Sequence, residues 1–182
     1  KLLAGKSRHL KVLELAAQKA GWDQPLSKGQ GRGISLQESF GSIVAQVAEV
    51  SLNNGKIAVE RVVCAIDAGF AVSPDGLTAQ MESGISYGLS AALYGEISIE
   101  NGAVQQTAFS DYPVIRMQDS PKIETHIINS GEEIGGAGEP GTPGIAPALV
   151  NAIYQATGAR VRQLPVSQYD FKFRIKEEAE LI

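Results

Sequence analysis

The amino-acid sequence predicts an α+β protein, with mixed or antiparallel sheets built from β-hairpins and about three packed helices. Two observations carry the prediction. Runs rich in β-branched residues are separated by Asn-Gly turn signals at Asn54-Gly55 and Asn101-Gly102, and three other stretches repeat apolar residues at helical spacing. Strands and helices are interspersed without an internal repeat or a low-complexity tract, which suits one layered core.

In chain order, the first helical stretch covers residues 10–20, with Leu10, Leu13 and Ala17 on one stripe and Glu14 and Lys19 off it. Residues 21–33 are dense in Gly, Pro and polar side chains and read as a loop. Strands are expected at 34–40, 43–52 and 57–66, with Asn53-Asn54-Gly55 supplying the positive φ that a hairpin between the last two requires. Ser73-Pro74-Asp75-Gly76 then breaks the chain, and a long helix follows over 77–94, with Met81, Ile85, Leu89 and Leu93 at four-residue steps. Gly84 and Gly88 lie inside that helix. Each costs about 0.5–1 kcal/mol relative to Ala, so close contact with another backbone, or with a ligand, is needed to account for them. Residues 96–107 hold the second Asn-Gly turn between short β-type pieces, and 122–129 read as a further strand. A third helix is expected over 143–157, with Ile145, Leu149, Ile153 and Ala156 on one stripe and Gly158 ending it. The tail, 161–182, offers a stop at Leu164-Pro165, a short aromatic strand through Tyr169, Phe171 and Phe173, and a charged end.

Composition narrows the function classes. At 182 residues the chain can bury one sizeable core, and a hydrophobic share of 43% with 20 glycines is the profile of an ordered protein with many tight turns. Formal net charge is −4 and the basic residues are scattered, so no positive stripe is available for a nucleic-acid backbone. No stretch approaches the roughly 18 apolar residues of a membrane span, and the first helix lacks the features of a signal peptide. Cys64 sits in an apolar run, reads as a small buried hydrophobe, and as the single cysteine excludes an intrachain disulfide. A start without Met inside a helix points to a piece of a longer protein, whose signal for periplasm or cytoplasm would lie elsewhere. Within the chain, 1–30 reads as a leading helix and loop, 31–165 as a core carrying the loop 135–144, and 166–182 as a tail.

That loop is the most chemically suggestive segment. Gly136-Ala137-Gly138-Glu139-Pro140-Gly141 matches the G-x-G-x-x-G pattern of dinucleotide-binding folds and lies between an expected strand and an expected helix. A carboxylate in a phosphate cradle repels the phosphate, and Pro lacks the N–H that would bind it. The strand end is also six residues away, and no acidic residue follows about 20 residues later. Glycines that admit a bulky group, with Pro140 and Pro143 stiffening the turn, suit a preorganised carboxylate at Glu139 better. A solvated or capping acid is the plain alternative, and Glu132 and Glu133 fit it.

Residues 132–153, from Glu132-Glu133-Ile134-Gly135-Gly136 through Gly138-Glu139-Pro140-Gly141-Thr142-Pro143 to Asn151-Ala152-Ile153, resemble the C-terminal signature of the xanthine dehydrogenase and aldehyde oxidase superfamily. Gly31-Arg32-Gly33, Glu38-Ser39-Phe40-Gly41, Asp67-Ala68-Gly69, Ser73-Pro74 and Gln80-Met81-Glu82-Ser83-Gly84 resemble its isoquinoline 1-oxidoreductase-like large subunits in the same order. The resemblance implies a molybdenum cofactor-binding domain in which Glu139 is the general base. That base would deprotonate a metal-bound hydroxyl during oxidation of an N-heterocycle or aldehyde with a water-derived oxygen. It implies cofactor contacts at Gly138 and Gln80, a molybdopterin cofactor held with the remainder of the large subunit, and [2Fe-2S] clusters on a small partner subunit. It assigns no metal ligand here and implies that the isolated piece lacks turnover. Two positions depart from the family pattern: Gly144 replaces a proline, which would loosen the helix start, and Tyr87-Gly88 stands where Gln-Gly is usual, so no cofactor contact is assigned to Tyr87. The competing reading is a non-catalytic assembly module in which the loop is only a turn.

Overall fold

A computed structural model describes residues 3–171. Its elements are helix α1 (Ser7–Lys19), strands β1 (Gln30–Ser39), β2 (Ser42–Asn53) and β3 (Lys56–Asp67), helix α2 (Pro74–Tyr94), a small ribbon β4 (Ile99–Glu100) and β5 (Ala103–Val104), strand β6 (Lys122–Ile128) and helix α3 (Ile145–Thr157). The main sheet has the order β1-β2-β3-β6. Its first two pairings are antiparallel, and β6 returns parallel to β3 after the chain has crossed over through α2 and the ribbon. The sheet is therefore mixed, and the α+β class with three helices is as expected.

Both faces of the two central strands are covered. Ile43, Ala45, Val47, Val63 and Ala65 pack under Val12, Ala16 and Ala20 of the α1 side. Val44, Ala48, Val62, Cys64 and Ile66 face Met81, Ile85 and Leu89 of α2 and Ala148, Leu149 and Ala152 of α3. A strand buried on both faces loses its polar alternation, which is why β2 and β3 read as nearly continuous apolar runs. Burial pushes the Cys64 thiol up to about 12 against a smaller opposing effect of the Gln46 amide, so it remains a neutral core group.

Four expectations change in detail. The stripe of α1 that meets the sheet is Val12, Ala16 and Ala20, while Leu10 is 41% exposed. Small residues let this helix lie close over the strands, and proximity outweighs side-chain size. Ser73-Pro74-Asp75-Gly76 does not interrupt the chain but starts α2: the Ser73 hydroxyl accepts a hydrogen bond from the Gly76 N–H at 3.3 Å, and Pro74 occupies the first turn. In the tail, a 3₁₀ turn at Val166–Gln168 precedes Tyr169 and Phe171, whose rings stack 5.9 Å apart without forming a strand; Phe173 lies outside the described residues.

The fourth change concerns residues 30–33, which are strand and not loop. Cβ atoms added to Gly31 and Gly33 would come within 3.0 Å of backbone atoms of Ala148, Ala152 and Ala156. These glycines are present so that α3 can lie backbone to backbone on β1, and their density does not signal a loop. Arg32 between them pairs with Glu49 at 2.9 Å and donates to the carbonyl of Gly21 at 2.6 Å.

Hairpin geometry agrees with the Asn-Gly signals. Asn54 and Gly55 have φ of 53° and 81°, and Asn101 and Gly102 have φ of 50° and 79°. A third two-residue hairpin joins β1 to β2 at Phe40-Gly41, with φ of 55° and 77°. Phenylalanine in the left-handed region is sterically disfavoured, and Phe40-Gly41 lacks the Asn that marks the other two turns. The turn is held from outside, by the Gly136 N–H donating to the Phe40 carbonyl at 2.7 Å. No helix among the described residues is long and apolar enough to cross a membrane.

Two measurements test this packing. Gly33→Ala is expected to lower the stability of the chain by about 2 kcal/mol or more, read from its urea midpoint, because the clash is with helix backbone and cannot relax through a rotamer. Hydrogen bonds from Arg61 and Lys122 hold the Glu124 carboxyl down at about 2. Its folded pKa lies below the unfolded value, so the stabilisation is present above the ordinary carboxylate range and is lost as pH falls toward 2. The urea midpoint is expected to fall across that acid range, and Glu124→Gln to flatten the fall.

Candidate functional site

The segment leading from β6 to α3 is laid along the end of the sheet by backbone pairing. The Gly131 N–H donates to the Gly69 carbonyl and the Gly135 N–H to the Ala68 carbonyl, each at 3.1 Å. The Ala71 N–H donates to Asn129 Oδ1 at 2.9 Å. The Gly136 N–H then reaches the Phe40 carbonyl, which brings the start of the glycine-rich loop against the β1-β2 hairpin. Gly135 and Gly136 have no room for a Cβ: one would strike Ser42 and Gly41, the other the Phe40 side chain.

From Gly136 onward the carbonyls of the loop are held by side chains. Ser42 Oγ donates to the Gly136 carbonyl at 2.7 Å, Gln80 Nε2 to that of Gly138 at 3.0 Å, Gln46 Nε2 to that of Gly141 at 2.7 Å, and Ser35 Oγ to that of Gly144 at 2.7 Å. Gln37 Nε2 donates to the Pro140 carbonyl. These five donors come from β1, β2 and α2. Glu139 itself is the first residue of a β-turn closed by the Thr142 N–H donating to its carbonyl at 2.9 Å, with Pro140 at the position such turns favour.

Helix α2 meets this turn through its two interior glycines. A Cβ on Gly84 would approach Thr142 and Gly141, and one on Gly88 would fall 2.5 Å from Ile145 Cγ2 and 2.6 Å from the Thr142 carbonyl oxygen. The glycines of α2 therefore serve backbone packing against the loop. Gly144 likewise fits beneath Gln46 and Ser35, and the hydrogen bond from Ser35 pins the start of α3, so the absence of proline there does not leave the helix start loose.

The structure brings the three predicted site residues to one place. Gln80 and Gly138, 58 residues apart in sequence, are hydrogen-bonded, and Glu139 follows directly. Gln80, Gly138 and Glu139 are exposed, whereas Pro140 and Gly141 behind them are buried. Gly138 differs from the other glycines of the loop. The space its Cβ would take meets only Gln80 Nε2, at 3.9 Å, so an external group can approach its backbone. Glu132 and Glu133 have exposed side chains, and their carbonyls pack on Gly69. Among the described residues no three His, Cys, Asp or Glu side chains converge as a metal-binding set.

Of the five donors, sequence reasoning singled out Gln80 and missed the other four. Gln46, fully buried, is the polar interruption in the run Ile43-Val44-Ala45-Gln46-Val47-Ala48, and a lone amide in an apolar strand is the signal that could have found it. Gln37, Ser35 and Ser42 carry no such mark.

The family model described as the molybdopterin cofactor-binding domain matches residues 6–121. The β subunit of isoquinoline 1-oxidoreductase from Brevundimonas diminuta is 34% identical over 160 residues, 85% of this chain and 20% of that protein. The membrane-bound aldehyde dehydrogenase [pyrroloquinoline-quinone] of Gluconacetobacter polyoxogenes is 36% identical over 142 residues, 78% of this chain and 18% of that protein. Among solved structures, reconstituted CO dehydrogenase from Oligotropha carboxidovorans shares the fold with a TM-score of 0.63 at 19% identity, covering 78% of this chain and 19% of that one. The chain thus spans about a fifth of the length of the relatives it matches.

The buried and exposed donors should separate in stability. Gln46→Leu leaves the Gly141 carbonyl unpaired in the core and is expected to cost about 1–3 kcal/mol. Gln80→Ala, at an exposed amide, is expected to cost less than about 1 kcal/mol; urea unfolding of the two variants measures both.

Proposed function

This chain belongs to the molybdopterin cofactor-binding domain family, and from that membership we propose that it is part of the cofactor-binding subunit of a molybdenum-containing hydroxylase, with Glu139 as general base. The observation that carries the proposal is an exposed carboxylate on a buried, multiply anchored turn, beside the one glycine of the loop whose Cβ position is open to an external group. A solvated loop acid needs no such anchoring. A base needs it, because proton transfer depends on holding the carboxylate within hydrogen-bond reach of its target.

The residues present suit a molybdopterin-type group. Gly138 admits a bulky ring system against its backbone, and Gln80, whose Nε2 is used on the Gly138 carbonyl, presents its amide at the same exposed point. When bound, the cofactor supplies the two-electron redox chemistry of the oxidation. Glu139 takes up, at a carboxylate oxygen, the proton released as a water-derived oxygen is added to an electrophilic carbon. The names of the relatives point to an N-heterocycle or an aldehyde as the substrate class. The remainder of the subunit would close the site, and [2Fe-2S] clusters on a small partner subunit would carry the electrons away.

The test is Glu139→Gln in the full-length enzyme. Turnover is expected to fall at least about a hundredfold, with molybdenum and pterin content unchanged and the fold intact. Near-wild-type oxidation with the cofactor bound would remove Glu139 from the mechanism. A parent protein free of molybdenum and pterin would overturn the cofactor assignment, in favour of the quinone named for one relative or of a non-catalytic module.

A further inference from the structure

Asp67 is the last residue of β3 and is 1% exposed, the most deeply buried carboxylate among the described residues. Its Oδ2 accepts from Arg8 Nε at 2.8 Å, and its Oδ1 from Arg8 Nη2 at 3.1 Å, from the Gly69 N–H at 2.9 Å and from Ser130 Oγ at 2.8 Å. Arg8 Nη2 also reaches the Asp67 carbonyl at 3.2 Å. One carboxylate therefore gathers donors from the first turn of α1, from the turn that ends β3, and from the segment that leads to the Glu139 loop.

The turn ordered in this way is the surface on which that segment lies. The carbonyls of Ala68 and Gly69 accept the N–H groups of Gly135 and Gly131. Gly69, at φ +81°, has the Glu132 and Glu133 carbonyls within 3.0 Å of where a Cβ would stand, so only glycine lets the two backbones meet. Three residues beyond Gly136, itself tied to Phe40 and Ser42, the chain reaches Glu139.

A buried carboxylate is an expensive way to fill space, since removing it from water costs several kcal/mol unless every lone pair is used. Apolar packing could close the end of β3. It could not join an N–H, a hydroxyl and a guanidinium from three segments at one point. Burial alone would raise the carboxyl above its ordinary value, but the Arg8, Gly69 and Ser130 hydrogen bonds outweigh it and hold Asp67 below that value. The same contact holds Arg8 above its own. The pair is ionised at neutral pH.

We infer that Asp67 is a positioning residue for Glu139: through Ser130 and the Ala68-Gly69 turn, its buried, Arg8-paired carboxylate sets the register in which residues 130–136 deliver the Glu139 loop to the site. The inference rests on the reading of Glu139 as the base.

The test compares Ser130→Ala, Ser130→Thr and Asp67→Asn in the full-length enzyme, by steady-state kinetics, cofactor content and amide hydrogen exchange. Ser130→Ala removes the link from Asp67 to the approach segment, together with the weaker 3.4 Å hydrogen bond that the Glu132 N–H donates to Ser130 Oγ, and leaves the Arg8 and Gly69 contacts of Asp67 in place. It is expected to lower kcat on the order of tenfold with KM and molybdenum content unchanged, and to speed exchange at the Gly131 and Gly135 amides while the β2 amides keep their protection. Ser130→Thr, which keeps the hydroxyl, is expected to recover most of the loss. Asp67→Asn, which keeps an acceptor but breaks the charge pair, is expected to show the same pattern more strongly; if it fails to fold, the Ser130 pair still decides. Unchanged exchange at Gly131 and Gly135 in Ser130→Ala overturns the inference. So does faster exchange with unchanged kcat, or a fall in kcat matched by cofactor loss. Failure of the base reading itself is seen separately, as undiminished turnover in Glu139→Gln, and leaves the exchange result intact.

Discussion

Between Gly136 and Gly144 the loop gives up its carbonyls to side chains: Ser42, Gln80, Gln37, Gln46 and Ser35 each donate to one of them. The rest of the site depends on this constraint. A Gly/Pro-rich loop has no hydrogen-bond ladder of its own, and its backbone groups could not be buried without partners. Supplying the partners from two strands and a helix makes the loop part of the sheet end, so that Glu139 stands on a fixed base while remaining exposed. The cost is clearest at Gln46, a polar residue in the apolar stretch 43–48 of β2, whose Oε1 is buried with no hydrogen-bond partner among the described residues.

The same segment explains the glycines. Helix α2 meets the loop at Gly84 and Gly88, helix α3 meets β1 at Gly31 and Gly33, and the β3 turn meets the approach segment at Gly69. At Gly31, Gly33, Gly69 and Gly88 the neighbouring segments come closer than any side chain would allow, and at Gly84 a Cβ would stand 3.1–3.3 Å from Thr142 and Gly141, a tight fit. Only Gly69 among these also needs a positive φ. At the others the entropic cost of glycine is offset by close packing of main chain on main chain. Gly138 is the exception in the loop, because no neighbour among the described residues requires a glycine there.

Charge is divided between the two ends of the sheet. At the far end, Arg32, Arg61, Glu49, Glu124 and Lys122 form a partly exposed network around the β1, β2, β3 and β6 strands and the last turn of α1. At the site end the buried Asp67 carboxylate, paired with the part-buried Arg8, does the organising. The most exposed pair of the network, Lys122 with Glu124, is screened by salt, whereas Arg32 is itself buried. The Arg8–Asp67 pair is costly to break from one side, which suits a point where three segments must keep a common register.

By itself the sequence determined the features that local preference dictates. Asn54-Gly55 and Asn101-Gly102 specify two hairpins because those residues tolerate positive φ, and Met81, Ile85, Leu89 or Ile145, Leu149, Ile153 specify helix faces because their spacing repeats every turn. The run around Glu139 marked the loop and Gly138, and Gln80 entered separately, through the resemblance of Gln80-Met81-Glu82-Ser83-Gly84 to the same family. Tertiary structure decided the rest. It turned residues 30–33 from an apparent loop into a strand under α3, held Phe40 in a left-handed turn, shifted the buried stripe of α1 to Val12 and Ala16, and joined Gln80 to Gly138 across 58 residues. The physical reason is the same in each case. Backbone torsion and periodicity are properties of neighbouring residues, whereas the absence of a Cβ or the reach of one amide has meaning only once a distant segment is packed against it.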